Sequence, residues 1–219
     1  MSLREIFPNV YSNGKNIYTI NRIKGKSVYG EKLVREGNTE YREWDPFRSK
    51  LCGAIRKGLA NFPFSKNSKI LYLGASTGTT ISHLSDILEE GEIYAVEIAP
   101  QMAERLMELA EHRENIVPIV ADARKPEEYE EIPDVDVVYQ DVAQPDQDRI
   151  LTMNCRKFLK KEGFAMFCVK SQSIDVSKDP KKVFAEIEKS LSRDFEILEK
   201  FYLEPFDKEH EFLVLRIKD

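Results

Sequence analysis

From Lys69 onward, short apolar runs alternate with segments of helical period, and this alternation limits the fold more than any other feature. The runs lie at 70–73, 93–96, 116–120, 135–139 and 163–169, and the helical segments at 80–88, 100–112, 148–159 and 183–191. Near-continuous apolar strands are expected where a parallel sheet is covered on both faces. Right-handed crossovers then wind the chain into a doubly wound α/β sheet. Two last runs, at 195–203 and 212–217, flank Glu204-Pro205-Phe206-Asp207-Lys208-Glu209. So short a connection makes a hairpin, giving seven strands with an antiparallel end.

The first 62 residues read differently. Asn13-Gly14 marks a hairpin turn between 10–12 and 15–20. Runs at 27–34 and 39–44 extend this into a small antiparallel sheet. Asp45-Pro46 reads as an N-cap and first helical residue. Phe47, Leu51, Ile55 and Leu59 recur every fourth position as the apolar stripe of that helix. Two domains are expected, a β-rich unit at 1–62 that ends in a helix and an α/β unit at 63–219.

Charge separates the same two parts. The net charge is −5, which argues against a generally basic nucleic-acid coat. Residues 1–62 nevertheless carry 12 basic and 6 acidic side chains, whereas 63–219 carry 21 and 32. The two parts are expected to face different partners. Cys52, Cys155 and Cys168 are scattered, with no CxxC pair and only three His, so no metal site is expected. The N-terminus lacks the pattern of a signal peptide, and no apolar run approaches a membrane span. A soluble cytosolic protein is expected.

In doubly wound sheets the ligand lies beyond the carboxyl ends of the strands. Here those ends are all polar. The first runs into Gly74-Ala75-Ser76-Thr77-Gly78-Thr79-Thr80, whose glycines permit a tight turn and close approach of a ligand to a helix N-terminus. Its spacing is neither G-x-G-x-x-G nor a nucleotide triphosphate loop. The second ends at Glu97, placed to accept from ribose hydroxyls, and the third at Asp122-Ala123, placed to accept from an adenine amino group. The fourth ends at Asp141-Val142-Ala143-Gln144 and the fifth at Lys170. Acids at the second and third ends suit adenosine. The reversed last strand is the pattern of sheets that bind S-adenosyl-L-methionine, and a sulfonium cation tolerates a crevice lined by Glu97 and Asp141.

The segments YLGASTGTT, YAVEIAP, VADARKP and YQDVAQPDQ, with WDPFRSKL upstream and VKSQSID downstream, closely resemble fibrillarin in its short archaeal form, over essentially the whole chain. One departure is the absence of a Gly/Arg-rich N-terminal tail, which points to a cytoplasmic rather than nucleolar setting. The resemblance implies a class I methyltransferase-like fold and S-adenosyl-L-methionine-dependent methylation of ribose 2′-hydroxyls in rRNA and tRNA. It also implies a box C/D guide RNA, a target RNA, a Nop-domain scaffold protein and a kink-turn-binding protein as partners. Cofactor contacts would fall on Gly74, Ala75, Thr79, Thr80, Glu97, Ile98, Asp122, Ala123 and Asp141 through Gln144.

A ribose hydroxyl is a very weak acid, so its methylation needs a base or a strong local positive field. Lys170 ends the fifth strand beside Asp141 at the end of the fourth, and Lys50 precedes the stripe residue Leu51. Such a Lys–Asp–Lys group resembles that of ribose 2′-O-methyltransferases, with a fourth polar residue before the last strand. Here that residue is His210 or Glu211, and HEFLVL favours His210. The expected roles are Lys170 as base, Asp141 as its orienting partner, and Lys50 and His210 as ribose and phosphate contacts. The alternatives are a non-catalytic structural subunit, a small-molecule methyltransferase or a nicotinamide oxidoreductase. The basic N-terminal part argues against a small substrate.

Overall fold

A computed structural model of the protein describes residues 3–218. The C-terminal part is a seven-stranded sheet built from β6 (Lys69–Leu73), β7 (Glu92–Glu97), β8 (Ile116–Val120), β9 (Val135–Gln140), β10 (Leu159–Lys170), β11 (Phe195–Tyr202) and β12 (His210–Ile217). The spatial order is β11-β12-β10-β9-β6-β7-β8. Strands β8, β7, β6, β9 and β10 are parallel, while β12 runs antiparallel to both β10 and β11. The expected doubly wound sheet with a terminal hairpin is therefore present.

The central strands are apolar because both faces are covered. In β6, Ile70 and Tyr72 join one cluster with α2 (Thr79–Ile87), while Leu71 and Leu73 join another with α4 (Gln147–Phe158) and α6 (Pro180–Leu191). Helix α3 (Pro100–Ala110) buries only Ala103 and Leu106. The crossover after β8 carries no α-helix, only a 3-10 turn at Pro126–Tyr129 that buries Tyr129 and exposes its acids. Among the described residues no helix is long and apolar enough to cross a membrane.

The N-terminal sheet has the order β1-β2-β3-β5-β4 and is antiparallel throughout. Its strands are β1 (Arg4–Phe7), β2 (Val10–Ser12), β3 (Ile17–Ile20), β4 (Leu33–Glu36) and β5 (Thr39–Trp44). Strand β1 is not among the runs the sequence pattern marks. The Asn13-Gly14 turn is a four-residue loop, since Ser12 pairs with Ile17 and Asn13 Oδ1 accepts from the amides of Lys15 and Asn16. The run at 27–34 is extended only from Leu33. The Glu31 carboxylate accepts from the amides of Val28 and Tyr29 and bends the segment before it.

The helix expected from Asp45 begins later. Asp45 Oδ1 accepts from the Phe47 amide at 2.8 Å, and the Asp45 carbonyl accepts from the Arg48 amide at 3.1 Å. Asp45 thus closes a turn by the side-chain-to-backbone bonding that Asp shares between turns and caps. Helix α1 spans Lys50–Arg56 behind Ser49, whose hydroxyl accepts from Cys52 N. Leu51, Ile55 and Leu59 are buried as the stripe requires, whereas Phe47 is 65% exposed and lies outside it.

The two sheets share a hydrophobic cluster, in which Val10, Ile17 and Trp44 meet Leu84, Tyr72 and Phe212. They also share a buried ionic knot. Arg42 of β5 lies 2.6 Å from Glu31 and 2.7 Å from Asp86 of α2, and Arg113 reaches the other Asp86 oxygen at 2.7 Å. Part of the N-terminal positive charge is therefore internal. His83, enclosed beside this knot, has its pKa pushed well down by burial and by both arginines, so it is neutral there.

Candidate active site

Strand order reverses at β6, where β7 and β8 lie to one side and β9 and β10 to the other. A crevice lies there, outside the carboxyl ends of the strands. Gly74 follows β6 with φ +80°, and a Cβ on it would lie 2.9 Å from the backbone carbonyl group of Asp141. The Asp141 amide donates to Leu73 O at 2.9 Å, so the two strand ends stay in register past the sheet.

Two cavities open from this point. One, of about 250 Å³, is lined by Gly74, Glu97, Ile98, Asp122, Ala123, Asp141, Val142, Ala143, Gln144 and Lys170, together with Ser76 and Met102. Glu97 is held at its edge, its carboxylate accepting from the amides of Ser76 at 2.7 Å and Ala99 at 2.8 Å. Asp122 Oδ1 accepts from the Arg124 amide. The other, of about 420 Å³, is lined by Gly74, Ala75, Thr79, Thr80, Asp141 and Lys170, together with Lys50, Phe47 and Arg48. Every residue expected at the cofactor lines one cavity or the other. Three carboxylates and an apolar floor suit a cationic, hydroxyl-bearing adenosine compound, so the donor set fits S-adenosyl-L-methionine. Among the described residues no group of three or more His, Cys, Asp or Glu could hold a metal ion.

Lys50, Asp141 and Lys170 meet where the cavities join. Lys170 Nζ lies 2.9 Å from Asp141 Oδ1, and Lys50 Nζ lies 3.2 Å from each Asp141 carboxylate oxygen. The backbone that carries each lysine is anchored. Ser49, the cap before Lys50, shares a buried hydrogen bond of 3.0 Å with the Thr80 hydroxyl, tying α1 to the start of α2. The buried Gln147 of α4 brackets Lys170, accepting from its amide at 3.0 Å and donating to its carbonyl at 3.1 Å. Burial alone would lower the Lys50 pKa. The facing Asp141 and Asp207 carboxylates outweigh it and raise that pKa above the usual lysine range.

His210 stands directly opposite Lys170 across the β10–β12 pair, while Glu211 opposes Val169. Directly opposed residues share a face and neighbours alternate. His210 is therefore on the face of Lys170, and Glu211 points to the other. His210 lines neither cavity. Its Nδ1 lies 2.8 Å from Asp207, which lies 3.5 Å from Lys50, so it reaches the group through Asp207. Burial would raise the Asp207 carboxyl, but His210 and Lys50 hold it below the usual carboxylate range. Sequence reasoning misses Asp207 and Gln147, because in the sequence Asp207 reads as hairpin loop and Gln147 as the edge of an ordinary helix. The acid three residues before the favoured histidine is a usable signal for Asp207.

The reversed last strand and the acid-lined crevice at the switch point define a protein of the methyltransferase-like fold class. The Fibrillarin family model matches residues 1–219, and the chain belongs to the fibrillarin family. It is 48% identical to the fibrillarin-like rRNA/tRNA 2′-O-methyltransferase of Pyrococcus abyssi over 217 residues, covering 96% of each chain. It superimposes on Aeropyrum pernix fibrillarin, solved with natively bound S-adenosyl-L-methionine, with a TM-score of 0.90 at 40% identity, covering 98% of each chain. Against a chain of a fibrillarin/Nop5p complex the TM-score is 0.91 at 41% identity, covering 98% of this chain and all of the other.

Proposed function

We propose that this protein transfers a methyl group from S-adenosyl-L-methionine to ribose 2′-hydroxyls of rRNA and tRNA, as the catalytic subunit of a guide-directed ribonucleoprotein. The observation that carries the reading is the Lys50–Asp141–Lys170 group at the junction of the two cavities. The similarity to a 2′-O-methyltransferase and to a cofactor-bound fibrillarin supports it. The similarity to fibrillarin in a Nop5p complex supports a Nop-domain scaffold as partner. A box C/D guide RNA and a kink-turn-binding protein complete the assembly we propose.

Bound S-adenosyl-L-methionine would supply a methyl group already activated by positive sulfur. Glu97 and Asp122 would hold its ribose and adenine, and Asp141 would face the sulfonium. The 2′-oxygen forms its bond to the methyl carbon as the carbon–sulfur bond breaks, the electron pair passing to sulfur. The hydroxyl proton passes to the amine of Lys170, whose Nζ is oriented by the Asp141 carboxylate and carbonyl. Lys50, with its raised pKa, stays a cation throughout. It balances Asp141 and draws the developing alkoxide, an electrostatic role suited to a low-dielectric site. His210, steadied by Asp207, is assigned to the phosphate side.

The test is transfer of a labelled methyl group to a target RNA by the reconstituted complex, with RNA lacking the target 2′-hydroxyl as control. Label that appears only when the hydroxyl is present supports the proposal. Saturable cofactor binding without transfer would instead make the chain a non-catalytic subunit.

A further inference from the structure

Phe47 and Arg48 stand at the mouth of the active-site cavity, and the reaction proposed above gives neither a task. Phe47 is 65% exposed, and its one ring partner among the described residues is Phe206, edge-on at 5.3 Å. Scattered exposed apolar residues are ordinary, but this ring lines the same cavity as Lys50, Asp141 and Lys170. Arg48 is exposed as well. Its guanidinium lies over the Tyr29 ring at 5.3 Å and has no ion pair or hydrogen bond to a side chain among the described residues.

The turn that carries them is braced on both sides. Asp45 Oδ1 takes the Phe47 amide, the Asp45 carbonyl takes the Arg48 amide, and the Tyr29 hydroxyl accepts from the Asp45 amide. Tyr29 is itself 2.7 Å from the buried His83 ring. Ser49 then caps α1. An apolar ring and an uncommitted guanidinium are thus held out over the reacting group by backbone that cannot readily fold them away. Arg48 also borders a second groove, of about 1010 Å³, that contains Lys26 and Arg105. Glu104 and Glu108 line that groove too, so its charge is mixed and it offers no continuous track for phosphates beyond Arg48.

We infer that Phe47 and Arg48 form the seat for the RNA nucleotide presented for methylation, Phe47 packing against the nucleoside and Arg48 pairing with an adjacent backbone phosphate. Aromatic faces and arginine forks are the groups that RNA surfaces of this kind engage. The inference rests on the RNA methyltransferase reading and adds to it the residues that position substrate.

The experiment uses the full complex reconstituted with guide and target RNA, and compares wild type with Phe47→Ala, Phe47→Leu, Arg48→Ala and Arg48→Lys. Phe47→Ala is expected to lower kcat/KM about tenfold, the loss appearing in the KM for RNA, because stacked or packed aromatic contacts are of this size. Phe47→Leu, which keeps apolar volume without a flat ring, is expected to fall between. Arg48→Ala is expected to reduce the slope of log affinity for target RNA against log salt by about one, and Arg48→Lys to restore it. Cofactor affinity, measured in parallel, is expected to stay within about twofold in all four, because neither Phe47 nor Arg48 lines the cavity that holds Glu97 and Asp122. Wild-type transfer with unchanged KM and salt slope in Phe47→Ala and Arg48→Ala would overturn the seat alone. Absence of transfer by the wild-type complex would overturn the enzymatic reading and the seat with it.

Discussion

Lys170 is bound twice to Asp141, its Nζ lying 2.9 Å from a carboxylate oxygen and donating at 2.7 Å to the backbone carbonyl of the same residue. Both contacts depend on β9 and β10 being parallel neighbours whose ends lie side by side.

Lys170→Ala removes the proposed proton acceptor without touching the contacts of Glu97. Transfer to RNA is expected to drop by about 10²- to 10⁴-fold, the usual range for a general base. Affinity for S-adenosyl-L-methionine by calorimetry is expected to change less than about threefold. Normal turnover in this variant would remove the base assignment.

Glu97→Ala is expected to do the reverse. Glu97 is 8% exposed and its carboxylate is already oriented by two backbone amides, so a ribose bonded to it would meet a fixed acceptor. Losing a charged hydrogen bond is worth about 1.5–3 kcal/mol, or roughly 10- to 150-fold in cofactor Kd. Titration calorimetry reads this directly, and an unaltered Kd would take Glu97 out of the cofactor site.

Asp86→Ala is a stability test of the join between the sheets. It would leave Arg42 and Arg113 buried with only Glu31 as an acidic partner. Breaking such a group by removing one member costs about 3–5 kcal/mol. Urea unfolding is expected to show an unfolding free energy lower by that amount, and a value within about 0.5 kcal/mol of wild type would show that the knot is not holding the sheets.

Glu211 supplies a pH dependence. It is buried between β10 and β11, and burial, reinforced by the charge of Glu188, pushes its carboxyl up to about 8, with Lys200 opposing. The folded value lies above the ordinary 4.5, so the folded chain holds this proton longer than the unfolded one. Its contribution to stability is complete below about pH 4.5 and is lost as pH rises toward 8. Every tenfold difference in proton affinity between the folded and unfolded chain corresponds to about 1.4 kcal/mol. Glu211→Gln, neutral at every pH, is expected to flatten the fall in Tm between about pH 5 and 9. Parallel curves for the two proteins would contradict this.

Much of the site could be read without coordinates. Apolar runs of strand length locate the carboxyl ends of β6, β7, β8, β9 and β10, and the polar residues that follow them line the crevice because a doubly wound sheet converges there. Phe47 and Asp45 show where this reasoning fails. Both fit a helical pattern, yet Asp45 spends its side chain on a turn and Phe47 stays in solvent, because local spacing does not record which hydrogen bond a capping residue will make. Asp207 is harder to read for another reason, since His210 three residues on is a local cue to it but Lys50 meets it only when the terminal hairpin packs near α1.

The sequence by itself determined the doubly wound sheet with its reversed end, and the acids and lysine at the strand ends. These follow from period, burial and chain order, which are local properties. Only the tertiary structure decided that Lys50 joins Asp141 and Lys170, that His210 rather than Glu211 shares their face, and that Arg42 is neutralised inside the molecule. Those facts depend on long-range packing of the N-terminal sheet and α1 against the larger sheet, and on strand register, where a shift of one residue reverses the face each side chain presents.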